Sequence, residues 1–394
     1  MADRRKAMVL AVRRGAPVRA VARRFRVGVA TVHRWVQRAG DRDLDRVEWQ
    51  DRPSLPRRTR RTEAATEDLV LTVRRELKES SILGEWGAAA IRRELFLREI
   101  AAVPSLRTIG RILARGGALD ARRRVRRAPP PLGWYLPDLA AGRTELDSFD
   151  VIEGLVIEGG TPVEVLTGIS LHGGLVASWP GPAVTATMVT EALLDHWRTV
   201  GLPAYAQFDN DTRFQGAHQF RDAIGRVMRL CLSLHVIPVF APPLETGFQA
   251  AIESFNARWQ AKVWARFHHD SLEALQTRSA LYVTAYRSRA AARIEAAPAR
   301  YPFPVGWRLD LQAPPRGRII FLRRTTEQGQ VTLLGHSFVV DPTWPHRLVR
   351  AEVDLDAGCI AFYALRRREP TVQSLLRTVP YHLPARRFID RSRG

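Results

Sequence analysis

The sequence predicts a multidomain protein with tandem all-α units at the N-terminus, a central α/β domain on a mixed sheet, and a small C-terminal β-barrel. Three observations predict this. Apolar residues recur at helical spacing through about the first 118 residues. From about residue 140, runs rich in Val, Ile and Phe are punctuated by Gly159-Gly160 and Gly173-Gly174, and helical segments then alternate with short strands. From about 316 to 370 the pattern returns to short strands separated by turns.

In the first unit, 1–45, a helix from about Arg4 to Arg14 stops at Gly15. A second helix carries Val18, Val21, Ala22 and Phe25 on one face. After the turn Arg26-Val27-Gly28-Val29, a third buries Val32, Trp35 and Val36 and leaves His33, Arg34 and Arg38 outward. Residues 46–63 contain Pro53, Pro56 and the cations Arg57, Arg58, Arg60 and Arg61, which reads as a basic linker. Another three-helix unit spans 64–121. Its stripes are Leu69, Val70, Val73 and Leu77, then Ala90, Ile91, Leu95 and Phe96. Its last helix, capped at Pro104-Ser105, turns Arg107 and Arg111 outward. Arg122–Arg127 and Pro129–Pro131 make 122–139 a further stiff, basic linker.

The α/β core covers 140–300, with strands at 146–157 and within 163–179, a helix at about 187–199, and a strand at 204–209. A helix at about 217–232, a strand at 236–240 and a long helix from about Phe248 to Phe267 follow. The small β-barrel spans 316–370 and a basic tail 371–394.

The chain of 394 residues carries 61 Lys and Arg against 40 Asp and Glu, a formal charge of +21. All but Lys6, Lys78 and Lys262 of those cations are arginine, whose planar fork pairs with phosphate in two places. Such charge implies a polyanionic partner, because counterion release drives binding to nucleic acid. Only Cys231 and Cys359 are present, without zinc-ligand spacing, which suits a reducing compartment. No signal peptide, bilayer-length apolar run or phosphate-binding Gly-x-x-x-x-Gly-Lys loop occurs, so a cytoplasmic, nucleoid-associated protein that is not itself an ATPase is expected. Gly168-Ile169-Ser170-Leu171-His172 lacks the final glycine of a serine-hydrolase elbow.

Within this basic chain, three segments place acids beside apolar residues: Glu145–Asp150, Gln207–Asn210 and Ala251–Asn256. Phosphodiester chemistry needs an activated nucleophilic oxygen and a stabilised leaving oxygen, and two divalent metals about 3.5–4 Å apart supply both. Mg²⁺ takes hard oxygen ligands, so two or three carboxylates suffice.

Asp209-Asn210-Asp211-Thr212-Arg213-Phe214 resembles the Asp-Asn-Gly-x-x-Phe signature of DDE integrases and transposases, whose catalytic core is retroviral-integrase-like and RNase H-like. Glu253-Ser254-Phe255-Asn256 resembles the Glu-Arg-Phe-Asn helix of that family, and Val165-Leu166-Thr167-Gly168-Ile169 its second strand. The unit at 1–45 resembles a helix-turn-helix module with Arg26 where such turns often carry glycine, and the unit at 64–121 resembles a further module of that kind. The domain order is also that of integrase-type insertion-sequence transposases. Asp211 departs from the family's glycine, and the distance from Gly247 to Glu253 is longer than usual.

The resemblance implies a polynucleotidyl transferase that cleaves element-end DNA and joins the freed 3′-hydroxyl to target DNA. Asp147, Asp209 and Glu253 would hold two Mg²⁺, or Mn²⁺, with Asp150 a rival to Asp147 and Glu245 a rival to Glu253. His33, Arg34, Arg38, Arg57, Arg58, Arg60, Arg61, Arg107 and Arg111 would contact double-stranded DNA. The family's mechanism implies at least a homodimer on DNA and leaves room for a separate ATPase partner. The alternative is a catalytically inactive, transposase-derived DNA-binding regulator.

Overall fold

The computed structural model describes residues 2–51, 62–119, 131–217, 220–245, 247–385 and 388. Arg57, Arg58, Arg60 and Arg61 therefore lie outside the described residues, as do residues 122–130 of the basic linker at 122–139. The chain divides into two compact units, Met1–Thr66 and Glu67–Gly394.

The first unit contains helices α1 (Ala2–Arg13), α2 (Val18–Arg24) and α3 (Val29–Ala39). Their apolar stripes meet in a core of Met8, Val9, Val21, Ala22, Val32, Trp35 and Ala39. The sharp turn between α2 and α3 puts Arg26 at φ 48°, a left-handed conformation costing a non-glycine residue about 1–2 kcal/mol. Backbone bonds from Arg26 N to Arg23 O (3.1 Å) and Val27 N to Ala22 O (3.0 Å) hold it there.

The larger unit opens within α4 (Ala64–Ser80), followed by α5 (Ala88–Leu97) and α6 (Leu106–Arg115), which pack through Val70, Val73, Ile91, Leu95, Ile109, Ile112 and Leu113. Ser105 caps α6 by accepting from Thr108 N at 3.2 Å. The last turn of α4 and the loop after it dock on the core: Lys262 Nζ donates to Gly84 O at 3.0 Å, and Arg266 donates to the carbonyls of Lys78 (3.3 Å) and Glu79 (3.1 Å).

The core follows as α7 (Pro137–Ala140), β1 (Leu146–Val156), β2 (Pro162–Ser170), β3 (Val176–Gly181), α8 (Ala186–Val200), β4 (Tyr205–Phe208), α9 (Thr212–Gln215), α10 (Arg226–Ser233), β5 (Ile237–Phe240), α11 (Ala250–Trp259) and α12 (Leu272–Glu295). Strands lie in the order β5-β4-β1-β2-β3, with β1 antiparallel to β2 and parallel to β4. This is the RNase H-like mixed sheet. Alternation along β1 sorts its side chains to two faces. Phe149 points toward α8, where it meets Trp197 at 6.1 Å, while Ile152 joins Ile252, Phe255 and Trp259 of α11. The expected helix at 217–232 is shorter, beginning at Arg226, and the helix expected to reach Phe267 passes at Gln260 into a π-helical turn. Helix α12, which sequence patterning did not anticipate, packs on β3.

The C-terminal β region contains β6 (Arg318–Arg324), β7 (Gln330–Leu333), β8 (His336–Val339), β9 (Leu348–Asp354), β10 (Cys359–Leu365) and β11 (Leu375–Pro380). Strand β6 pairs in parallel with β5, so the order β11-β10-β9-β6 continues the core into one nine-stranded sheet. The β7–β8 hairpin lies on this region, with Phe338 6.0 Å from Phe362. Among the described residues, the pairing leaves β11 as a sheet edge. That strand occupies part of the expected basic tail, because its backbone completes the ladder of β10. No helix among the described residues is long and apolar enough to cross a membrane.

Candidate active site and nucleic-acid interface

Register brings two of the acids together. Strands β1 and β4 pair Leu146 with Tyr205, Asp147 with Ala206 and Ser148 with Gln207. Two residues further along each strand, Asp209 falls at the level of Asp150, just as the rings of Phe149 and Phe208 stack at 5.7 Å one residue earlier. Asp209 begins the loop after β4, where its Oδ1 accepts from Asp211 N at 3.0 Å.

The third acid comes from α11. Asn256 Nδ2 donates to Asp150 Oδ2 at 2.8 Å, and Asn256 Oδ1 accepts from Thr167 Oγ1 of β2 at 2.7 Å. Thr167 Oγ1 also lies 3.1 Å from the Asp150 carbonyl oxygen. This fastens α11 over β1 and β2. Glu253, one turn earlier on the same face, is exposed and its carboxylate makes no hydrogen bond or ion pair among the described residues.

Burial pushes the Asp150 carboxyl up to about 6, and the charges of Asp209 and Glu253 push the same way. Burial also raises Asp209, assisted by Asp211 and opposed by the bond from Asp211 N and by Arg213. In a chain with 61 Lys and Arg, no ion pair reaches Asp150, Asp209 or Glu253 among the described residues. The donor set is thus hard oxygen with mutually repelling charge, which suits a divalent cation. The only three ligand-type groups within 4.8 Å of one another among the described residues are Glu158, His268 and Asp270. They are exposed and are accounted for as ion pairs, with His268 Nε2 2.8 Å from Glu158 and 3.1 Å from Asp270.

Asp147, expected as the first acid, is elsewhere. It is buried on the opposite face of β1, accepting from Trp197 Nε1 at 3.0 Å and from both terminal nitrogens of Arg300 at 2.9 and 2.5 Å. A strand turns residues three apart to opposite faces, so Asp147 and Asp150 cannot serve one site. Glu245, the rival third acid, is engaged by Arg324 and lies 3.9 Å from Arg367. Glu145, which opens the same acidic segment, accepts from the backbone N–H groups of His172 and Gly173, each at 2.9 Å.

Two residues that hold the candidate site together were not singled out by sequence patterning: Thr167 and Arg323. Arg323 Nη2 donates to Asn210 Oδ1 at 2.9 Å, and Asn210 Nδ2 donates to Ala241 O at 2.7 Å. The level placement of Asp150 with Asp209 had a sequence signal in the dipeptides Phe149-Asp150 and Phe208-Asp209, which adjacent parallel strands present alike.

The expected DNA-contacting residues divide. His33 and Arg34 on α3 and Arg107 and Arg111 on α6 are exposed. Arg38 is turned inward, donating to Gln50 O (2.7 Å) and Glu48 (3.1 Å) with its guanidinium 4.9 Å from the Trp35 ring centre.

Residues 2–45 match the homeodomain-like domain family. The segment that holds α1, α2 and α3 is thus similar to homeodomain-like domains. The comparison with curated proteins finds no match. Among solved structures, the catalytic core domain of BIV integrase is similar at 18% identity over 34% of this chain and 80% of that one, with a TM-score of 0.25. The HTLV-2 integrase catalytic core domain in complex with magnesium is similar at 13% identity over 34% and 80%, TM-score 0.24. A simian T-cell lymphotropic virus intasome is similar at 13% identity over 77% of this chain and 96% of that one, TM-score 0.31. Residue roles in this chain therefore rest on its own geometry.

Proposed function

We propose that this protein is a DNA transposase or integrase of an insertion-sequence element, with Asp150, Asp209 and Glu253 as its catalytic acids. The observation that carries this is the Asn256–Asp150 hydrogen bond, which sets the helix of Glu253 over the strand that runs level with Asp209. Asp150 and Asp209 would hold Mg²⁺ or Mn²⁺, with Glu253 completing the set. Bound ions would supply an activated oxygen nucleophile and neutralise the leaving oxygen. Asn256 and Thr167 keep the Asp150 carboxylate aimed, and Asn210 fixes the loop that carries Asp209. His33, Arg34, Arg107 and Arg111 are the proposed DNA contacts, and at least a dimer would be needed to pair two element ends.

The test is cleavage and strand transfer on labelled end DNA with Mg²⁺ or Mn²⁺. Asp209→Asn and Asp150→Asn should each abolish both steps; strand transfer surviving either substitution would sink the reading. A different reading, a non-catalytic DNA-binding regulator, is favoured by Asp211, which holds Arg213 at 2.6 Å beside Asp209. A regulator would bind end DNA without nicking it in either metal.

A further inference from the structure

We infer that Arg323, carried by the C-terminal strand β6, is a positioning residue for Asp209, so that the C-terminal strands help to form the catalytic loop. The inference rests on the proposed role of Asp209 in holding metal. Arg323 is 9% exposed and reaches back across β5. Its Nη2 donates to Asn210 Oδ1 at 2.9 Å, while Nη1 lies 2.9 Å from Leu322 O and 3.5 Å from Ala241 O. Asn210 Nδ2 donates to the same Ala241 carbonyl at 2.7 Å. The side chain next to Asp209 is therefore clamped from both ends, by β6 on its oxygen and by the end of β5 on its nitrogen.

Packing alone does not account for this arginine. Its guanidinium lies 5.0 Å from the Phe321 ring centre and meets no carboxylate among the described residues. Burial lowers its pKa to about 10, which records the cost of keeping a cation there. Burying a charge without an ionic partner is costly, and an apolar chain of similar length would fill the space without that cost. Only a planar fork bonds the Asn210 amide and two main-chain carbonyls from one side chain. Because Arg323 is buried, it acts through Asn210 and not on DNA.

The test is Mn²⁺ binding by the full-length chain, followed by electron paramagnetic resonance, with end-DNA affinity measured beside it. Arg323→Met and Asn210→Ala should each weaken Mn²⁺ binding by about tenfold to a hundredfold. The double variant should be no weaker than the worse single one, since both break one clamp. DNA affinity should stay within about twofold, which a general loss of structure would not allow. Effects that multiply in the double variant, or Mn²⁺ binding unchanged in Arg323→Met, would overturn the inference. If Arg323→Met does not fold, Arg323→Lys carries the test, because it keeps the charge and loses the fork; unchanged Mn²⁺ affinity there would overturn it equally. Failure of the native chain to bind Mn²⁺ at all would overturn the catalytic reading itself, a result distinct from either.

Discussion

Asn256 Nδ2 donates to Asp150 Oδ2 at 2.8 Å, joining a helix to a strand 106 residues earlier in the chain. The amide uses both ends, since its oxygen accepts from Thr167 at 2.7 Å. Asn256→Ala should slow single-turnover cleavage by about tenfold to a hundredfold, as loss of a partner behind a metal ligand does. It should also cost about 1–3 kcal/mol in thermal unfolding by leaving buried groups unmatched. A variant with native cleavage rate would show that the latch does not aim Asp150.

The two aspartates of β1 should fail in opposite ways. Asp147→Ala leaves the half-buried Arg300 without its carboxylate and should cost about 3 kcal/mol, whereas Asp147→Asn can keep the Trp197 bond and cost less. Cleavage per folded molecule should survive in Asp147→Asn. Asp150→Asn should abolish cleavage and leave stability equal or up to about 3 kcal/mol higher, because it removes a carboxylate whose pKa is raised to about 6. Denaturation and nicking measured on the same preparations separate these outcomes, and the assignment falls if the two substitutions exchange phenotypes.

His196 gives a pH signature. Burial lowers its pKa to about 4, with Arg300 and Arg287 acting in the same direction and Asp147 opposing. A depressed histidine pKa means the unfolded chain takes up its proton first. Native stability is therefore lost as pH falls from about 6.5 towards 4, by on the order of 3 kcal/mol for this one group. Asp150 works oppositely over much of the same window, since protonation below about 6 relieves its burial. Comparing His196→Gln with the native chain cancels that contribution. The variant should gain stability relative to the native chain between pH 7 and 4; a constant difference across that range would refute the prediction.

Salt titration should sort the arginines. Exposed Arg34 and Arg107 should each, when changed to Ala, weaken end-DNA binding and reduce the slope of log affinity against log salt by about 1. Arg38→Ala should instead lower the melting temperature of the first unit, because its guanidinium is committed to Glu48, Gln50 and Trp35. Equal slopes for Arg34→Ala and the native chain would remove Arg34 from the interface.

Much of the fold was legible because local periodicity dictated it. Trp35 and Val32 in α3, the stripe of α6 and the run of β1 all follow from spacing alone. Helix α12 was not, because its buried residues Leu275, Ser279, Tyr282 and Tyr286 are diluted by alanines and arginines, so one narrow apolar stripe reads as a polar segment. Within the candidate site, Asp209 stands out in the sequence through its neighbours Asn210 and Phe214, and Glu253 through the buried stripe of its helix. Asp147 fitted the expected pattern through its polar–apolar surroundings, but the Arg300 that engages its carboxylate lies 153 residues away. No local signal carries a partner at that distance. The same holds for Arg323 and Asn210, which meet only through the parallel pairing of β5 with β6.

That pairing has a practical consequence for dissecting the protein. Because Val239 is in register with Ile320, a fragment ending near residue 315 would expose the backbone of β5 along a short, apolar edge, Ile237 to Phe240, and strip Phe240 of the Phe321 ring stacked on it at 5.2 Å. Open apolar edges recruit other chains. Deletion of the C-terminal strands would thus produce aggregation where loss of DNA binding was sought, and point substitutions on an intact chain are the means of telling the two apart.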